Sequence, residues 1–354
     1  MKKIAIISMN GASSGGGVER VVGLHARIFR EHGAVVRIFS LPIEGFLGRA
    51  IKTNKLFRMI MSVLFPVFSP LGARFWAGRS GIVLTHGLSS IGLWSDAVIA
   101  HGSWAKFSKT MLLPPTPFSK MVFTYECLAA LLSRRVIAVS DAVATAWIEH
   151  YGADPSKVEV LYNSIDFEKF KPKKISLDKN KKTEMVRVLF VGRLENAKGL
   201  DYLIRLCREI EADRDCEISL CVCTSAVPLP SVRDELVGCK IFVDLDSDAM
   251  VEQYNQADLM LLPSRYEAFE LSTLESLGCG TPVLLNDTGT RPSLIRLGCP
   301  GIYPLQIAEP PIIAVRRAAS IFSQLTREEL SQWTREAFDY SRMEARLLEV
   351  VGLR

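Results

Sequence analysis

The sequence predicts an α/β protein built from two doubly wound domains in tandem, each a parallel sheet covered by helices on both faces. Three observations predict it. The 354 residues exceed what one ordinary domain needs. Short runs too apolar to have a wet face alternate with helical patterns through the first half. After a lysine-rich stretch, the same alternation starts again.

In the first half the runs Ile4–Ser8, Val35–Phe39, Ile82–Leu84, Ala97–Ala100, Val136–Val139 and Val158–Leu161 predict strands, and Val21–Glu31 predicts a helix. Between Lys169 and Lys182 stand seven lysines and one proline, which predicts an exposed connector. Beyond it, strands are predicted at Val186–Val191, Ile218–Val222, Ile241–Val243, Leu259–Leu262 and Pro282–Leu285, with helices at Leu200–Ile210 and Leu271–Gly278. The expected organisation is therefore a domain over 1–168, a linker over 169–185, a second domain over 186–335, and a final helix over 336–354 packing back on the first domain. Two such domains are expected to leave a ligand cleft between the carboxyl ends of their strands.

Composition narrows the function classes. Hydrophobic residues make up 48% and charged residues 23%, the balance of a folded protein. A net charge of +5 without aromatic-interleaved basic motifs argues against a nucleic-acid module. The eight cysteines form no CxxC pair and have no histidine at zinc-ligand spacing, so they are expected to be reduced core thiols of a cytosolic protein. The start, Met1-Lys2-Lys3 into Ile4–Ile7, reads as a strand and not as a leader. The apolar stretch Leu56–Gly78 is interrupted by Arg58, Pro66, Pro70 and Arg74 and is not expected to span a bilayer.

Three segments carry candidate chemistry. The first strand runs into Asn10–Arg20, whose Gly15-Gly16-Gly17 opens a helix at about Val18. A strand-to-helix turn of this kind offers unobstructed N–H groups to a phosphate, or is simply a tight turn. In the second half, Gly192-Arg193-Leu194-Glu195-Asn196-Ala197-Lys198-Gly199 sets a guanidinium and an ammonium around another such turn. Together they suit a diphosphate, or are solvated loop residues. Pro263–Val283 is the richest. A strand ends, Glu267 sits in the loop, and Glu275 sits on the following helix, whose first N–H groups at Leu271, Ser272 and Thr273 suit phosphate oxygens. Ser272-x-x-Glu275 also fits a capping box that would serve only its own helix.

Glu267-x7-Glu275 followed by Gly278-Cys279-Gly280-Thr281-Pro282-Val283, preceded by Gly192-Arg193-Leu194-x3-Lys198-Gly199, resembles the retaining glycosyltransferases of family 4, which have the GT-B fold. Gly16-Gly17-Val18-Glu19 and Val160–Asp166 are similar to other parts of that family, so the likeness spans nearly the whole chain. The resemblance implies a nucleotide-sugar-binding second domain and an acceptor-binding first domain. It implies that Arg193 and Lys198 bind the donor diphosphate, Glu267 contacts the transferred sugar and Glu275 holds the ribose. Gly16, Gly17, Phe269, Leu271, Ser272 and Thr273 complete the donor-binding set. His101, at a strand end, matches a histidine that faces the donor sugar in the family, and His86 competes for that place. Glu270 stands where the family usually has glycine and is expected to crowd or re-select the donor. Ser164 and Ser293 also depart from the family's residues.

The expected activity is transfer of a hexose or N-acetylhexosamine from a nucleotide-sugar, a UDP-sugar in the first instance, to a cell-envelope glycan such as a lipopolysaccharide core or lipid-linked oligosaccharide. An epimerase or hydrolase on the same fold, or a non-catalytic nucleotide-sugar sensor, are the competing classes. No metal is expected. Asp244-Leu245-Asp246-Ser247-Asp248 imitates a DxD metal site but is expected to cap a helix. Residues 47–79 combine basic and aromatic-aliphatic side chains without any Asp or Glu. They predict either an interfacial segment on an anionic membrane or a buried helical pair. The first option gives a cytoplasmic protein peripheral to the inner face of the membrane.

Overall fold

The computed structural model describes residues 1–12, 16–41, 53–173 and 185–353. They form two compact units, Met1–Asn163 with Ser341–Arg354, and Ser164–Tyr340. In the first unit follow β1 (Lys3–Ile7), α1 (Gly17–Glu31), β2 (Val35–Phe39), α2 (Lys55–Ala77), β3 (Ile82–His86), β4 (Ala97–Ala100), α3 (Trp104–Thr110), α4 (Pro117–Leu132), β5 (Arg135–Ala138), α5 (Asp141–Tyr151) and β6 (Val158–Val160). The second unit holds β7 (Val186–Val191), α6 (Leu200–Ala212), β8 (Ile218–Thr224), α7 (Pro230–Glu235), β9 (Lys240–Val243), α8 (Ser247–Gln256), β10 (Leu259–Leu262), α9 (Leu271–Gly278), β11 (Val283–Leu285), α10 (Arg291–Arg296), β12 (Ile302–Pro304), α11 (Pro311–Phe322) and α12 (Arg327–Ala337). The last helix, α13 (Tyr340–Val350), belongs to the first unit from Ser341 onward.

Each unit has one six-stranded sheet, ordered β2-β1-β3-β4-β5-β6 in the first and β12-β11-β10-β7-β8-β9 in the second. The strand pairs are parallel, with Ile6 set between Ile38 and Leu84, and Met260 between Leu189 and Val283. Parallel strands need crossovers and so put helices on the sheet faces, which is why β3, β4, β10 and β11 are buried along their whole length.

The boundary falls five residues earlier than the sequence suggested. Ile165, Phe167 and Phe170 are core residues of the second unit, and the Lys173 N–H donates to Asn255 Oδ1 at 2.7 Å. The lysine-rich stretch is therefore not a connector throughout, because its apolar minority anchors it as far as Lys173; residues 174–184 lie outside the described residues. At the other end, Arg346 pairs with Glu159 at 2.6 Å, and Leu347 and Leu348 are buried in the first unit.

Of the basic and apolar segment at 47–79, residues 47–52 lie outside the described residues. The remainder is not a helical pair but one helix, α2, packed on its own sheet. Ala73 and Ala77 lie against Ala5, Ile7 and Val83, with Phe65 and Trp76 beside them. Pro66 and Pro70 interrupt the helical hydrogen bonding, and the Pro66 carbonyl that Pro70 cannot satisfy accepts the Ile91 N–H at 3.1 Å. The opposite side of α2 exposes Leu56, Met59, Ile60, Leu64, Phe68, Leu71 and Phe75. By length and composition Leu56–Ala77 could cross a membrane, although one of its faces is already committed to the sheet.

Candidate active site

The strand order of the second sheet marks where a ligand is expected. The chain leaves β7 toward β8 on one side and β10 toward β11 on the other, the arrangement at which open α/β sheets leave a gap for ligands beyond the carboxyl ends of their strands. The loops after β7 and β10 are Gly192–Gly199 and Pro263–Glu270, the two segments that the sequence singled out. They are fastened together. Gly199 has φ +81°, and a Cβ there would lie 2.4 Å from the Pro263 carbonyl oxygen, so only glycine lets the single 3-10 turn Asn196–Lys198 approach the end of β10. Arg265 closes the junction. Its backbone N–H donates to Ala197 O at 2.8 Å, while its guanidinium donates to Asn196 O at 2.7 Å and to Asp201 at 2.7 Å.

This fastening delivers Lys198 to Glu267, with Nζ 2.5 Å from Oε1 and the two side chains 21% and 9% exposed. Glu267 is held from behind, its backbone N–H donating to Thr288 Oγ1 at 2.8 Å. Arg193 lies on the same loop, but its exposed guanidinium pairs with Glu195 at 2.9 Å. Of the two predicted diphosphate ligands, Lys198 is thus drawn into the junction and Arg193 stands at its surface.

Glu270 does not extend as the crowding expectation requires. Its carboxylate accepts from Thr273 Oγ1 at 3.1 Å, from the Thr290 hydroxyl, and from the Thr290 N–H at 3.2 Å. Gly289, at φ +58°, makes room, because a Cβ there would collide with both Glu270 and Glu267. Burial, followed by repulsion from Glu267, raises the Glu270 pKa to about 7. Lys198 thus pairs with Glu267, and the neighbouring Glu270 carboxyl is buried enough to hold its proton near neutral pH.

Helix α9 begins at Leu271 with Glu270 as its N-cap and no side-chain cap. Ser272 is already inside the helix, so the capping-box alternative for Glu275 does not form. Glu275 instead accepts from the Tyr254 hydroxyl at 2.8 Å, both groups being buried. Thr281 Oγ1 donates to Tyr254 O at 2.7 Å, so the Thr of the Gly278–Pro282 motif fixes the residue that orients Glu275. The Thr273 N–H is taken up by Glu270 O at 3.3 Å, leaving the Leu271 and Ser272 N–H groups at the helix start. Phe269 packs edge-on to Phe338 at 6.3 Å.

In the first unit the corresponding gap lies between β1 and β3. Gly16 and Gly17 sit there at the start of α1; Ser13–Gly15 lie outside the described residues. Glu19, in the first turn, accepts from Asn10 Nδ2 at 2.9 Å. His86 and His101 are not alternatives, since their rings stack with Nδ1 of His86 2.9 Å from Nε2 of His101. Burial lowers the His101 pKa to about 4, against an opposing pull from the Glu19 carboxylate.

The acidic DxD-like stretch has structural uses. Asp246 caps α8, accepting from the Asp248 and Ala249 N–H groups, and Asp248 pairs with Lys169 at 2.9 Å. No cluster of three metal-ligating side chains occurs among the described residues. Sequence reasoning missed Arg265, Thr288, Thr290 and Tyr254, which orient the candidate residues. A lone Arg, Thr or Tyr carries no spacing signal of such a role. Ser164, the departure from glycine, donates to Phe338 O at 2.7 Å.

Comparison with known proteins bears on the family and the fold. The family described as Glycosyltransferase Family 4 matches residues 15–169, and Glycosyl transferases group 1 matches residues 186–313. A D-inositol 3-phosphate glycosyltransferase of Rhodococcus jostii (strain RHA1) is 26% identical over 249 residues, 64% of this chain and 51% of the relative. The chain spans about half the length of the curated relatives it matches. Among solved structures, Anabaena HepE in complex with UDP and glucose superposes with a TM-score of 0.66 at 17% identity, covering 100% of both chains. WaaG, a glycosyltransferase involved in lipopolysaccharide biosynthesis, gives 0.69 at 16% identity, covering 99% of this chain and 100% of its own. At such identities these two likenesses speak for the fold alone. Matched along both halves and built on two six-stranded parallel sheets, the chain belongs to the family 4 type of glycosyltransferases and has the GT-B fold.

Proposed function

We propose that this protein transfers a hexosyl or N-acetylhexosaminyl group from a UDP-sugar to a cell-envelope glycan, such as a lipopolysaccharide core or a lipid-linked oligosaccharide, with retention at the anomeric carbon and without a metal ion. The observation that carries the reading is the junction of the β7 and β10 loops. It pairs Lys198 with Glu267, and the β10 loop leads directly into α9, which carries Glu275. Glu275 would accept from the ribose hydroxyls. The Leu271 and Ser272 N–H groups, Lys198 and Arg193 would receive the diphosphate, and Glu267 the hydroxyls of the sugar.

In the reaction the bond from the anomeric carbon to the diphosphate oxygen breaks and a bond to the acceptor hydroxyl forms on the same face. The hydroxyl proton passes to the departing diphosphate. No protein nucleophile is needed. The largest contribution would come from cations already in place where negative charge grows on the leaving group. His101 of the first unit would face the transferred sugar, and the first unit would bind the acceptor. The uridine and lipopolysaccharide assignments take support from the similarly folded HepE, which binds UDP and glucose, and WaaG, which is involved in lipopolysaccharide biosynthesis.

The exposed apolar face of α2, with the exposed Arg58 at its start, supports peripheral binding to the anionic inner face of the cytoplasmic membrane, where such acceptors are assembled. The test is a mass-spectrometric screen of UDP-, GDP- and ADP-sugars with and without a membrane glycolipid extract. Acceptor-dependent mass gain that disappears in Glu275→Gln supports the transferase. Donor consumption without acceptor would indicate a hydrolase or epimerase, and binding without turnover would indicate a sensor.

A further inference from the structure

Three imidazoles stand in a row in the first unit: His25 on α1, His86 at the end of β3 and His101 just after β4. His86 Nδ1 lies 2.9 Å from His101 Nε2, and the two rings are stacked with centroids 5.1 Å apart. The His25 ring lies behind His86 at 5.2 Å. His25 and His86 are buried, and among the described residues His25 Nδ1 and His86 Nε2 reach no hydrogen-bond partner. Burial, reinforced by the neighbouring rings, holds His25 and His86 well below the ordinary histidine pKa, and burial does the same for His101. At neutral pH each ring therefore carries one proton.

Two arrangements can fill the 2.9 Å contact. If His101 Nε2–H donates, His86 must carry its own proton on Nε2, a buried N–H with no acceptor. If His86 Nδ1–H donates, its Nε2 is left as a bare lone pair and His101 carries its proton on Nδ1. An orphaned buried N–H is the rarer and costlier defect, so the second arrangement is favoured. We infer that His86 is a positioning residue that locks His101 as the Nδ1–H tautomer, so that His101 presents a hydrogen-bond donor, and no lone pair, to the ligand. A neutral N–H donor suits a sugar hydroxyl or phosphoryl oxygen, and it cannot act as a base. The inference rests on the reading of His101 as the residue that faces the transferred sugar. Glu19, on the first turn of α1, is the charged group whose field reaches His101, and its Oε1 is engaged by Asn10.

The test is long-range proton–nitrogen NMR on full-length protein labelled with 15N-histidine, recorded without nucleotide, with His101 assigned by its loss in His101→Asn. The Nδ1–H pattern is expected in the wild type and in His86→Asn, whose amide N–H replaces the donor at Nδ1. His86→Leu should release His101 to the Nε2–H form and lower kcat about tenfold, the scale of one lost hydrogen bond, with KM for the donor unchanged. His86→Asn should stay within a few-fold of wild type. An Nε2–H pattern in the wild type, a tautomer unmoved in His86→Leu, or full turnover despite a released tautomer would each overturn the inference. Because the spectrum needs no substrate, a wild type that turns over no nucleotide-sugar strikes the functional proposal alone. If His86→Leu does not fold, the wild-type and His86→Asn spectra still decide.

Discussion

Lys198 Nζ and Glu267 Oε1 lie 2.5 Å apart across the junction of two loops that are 69 residues apart in the chain, and the buried carboxyl of Glu270 stands beside Glu267. The ammonium therefore neutralises Glu267, while Glu270 is held by Thr273 and Thr290. Lys198→Ala should lower turnover by at least about a hundredfold, as expected for loss of a preorganised charge. It should also destabilise the second unit by about 1–3 kcal/mol, because Glu267 is left nearly buried without a partner. A cycle with Glu267→Gln, read by chemical denaturation and by kinetics, separates the two effects. Unchanged turnover in Lys198→Ala would remove this residue from the site.

The close approach of Gly199 to Pro263 makes a sharp stability test. Gly199→Ala must bear both an unfavourable φ of +81° and a contact of 2.4 Å with a backbone oxygen. The expected cost is about 2–4 kcal/mol, or roughly 5–15 °C in Tm. Gly72→Ala, within α2 and with nothing near its Cβ position, is the control and should gain a few tenths of a kcal/mol or more. Equal Tm values for the two variants would contradict the account of the junction.

Glu270 links the junction to pH. Its folded-state pKa is raised to about 7 from an ordinary 4.5, so the folded state holds a proton that the unfolded state has released. Stability from this group is full below about pH 4.5 and is lost as pH rises through about 7, each unit of the rise being worth about 1.4 kcal/mol. Glu270→Gln cannot lose that proton. Between pH 5 and pH 8 its Tm should fall less than the wild-type Tm. Parallel curves would show that Glu270 is ionised in the folded protein throughout.

The exposed face of α2 predicts salt-sensitive binding to vesicles. Full-length protein should sediment with vesicles rich in phosphatidylglycerol at low salt and be released as salt is raised. Phe68→Glu with Phe75→Glu, at positions 60% and 90% exposed, should abolish sedimentation without lowering Tm. Equal sedimentation of this variant, or none by the wild type, would rule the surface out.

Much of the fold was legible in the sequence because parallel strands buried on both faces leave uninterrupted apolar runs, as at Ile4–Ile7 and Leu259–Leu262. One short edge strand was not. β12, Ile302–Pro304, has only three residues, and its burial comes from β11 rather than from its own pattern. The domain boundary was misplaced because Phe167 and Phe170 are isolated among charges and only tertiary packing shows them to be core. At the site, Glu267, Glu275 and Lys198 stood out by spacing. The orientation of Glu270 depends on Gly289 and Thr290, twenty residues along the chain, and no local pattern announces that contact. The pairing of His86 with His101 was hidden for a similar reason, since it is set by the alignment of neighbouring strands β3 and β4.

In the proposed reaction the gap between the β7 and β10 loops holds a nucleoside diphosphate without a metal ion. Calorimetric titration of UDP, GDP and ADP into the protein in the presence of EDTA tests it most directly, comparing wild type with Glu275→Gln and Lys198→Ala. One of the three nucleotides should bind the wild type in EDTA, and each variant should weaken that binding by about ten- to a hundredfold, the scale of one or two charge-assisted hydrogen bonds. Binding that appears only when Mg²⁺ or Mn²⁺ is added, or that is unaffected by both substitutions, would contradict it.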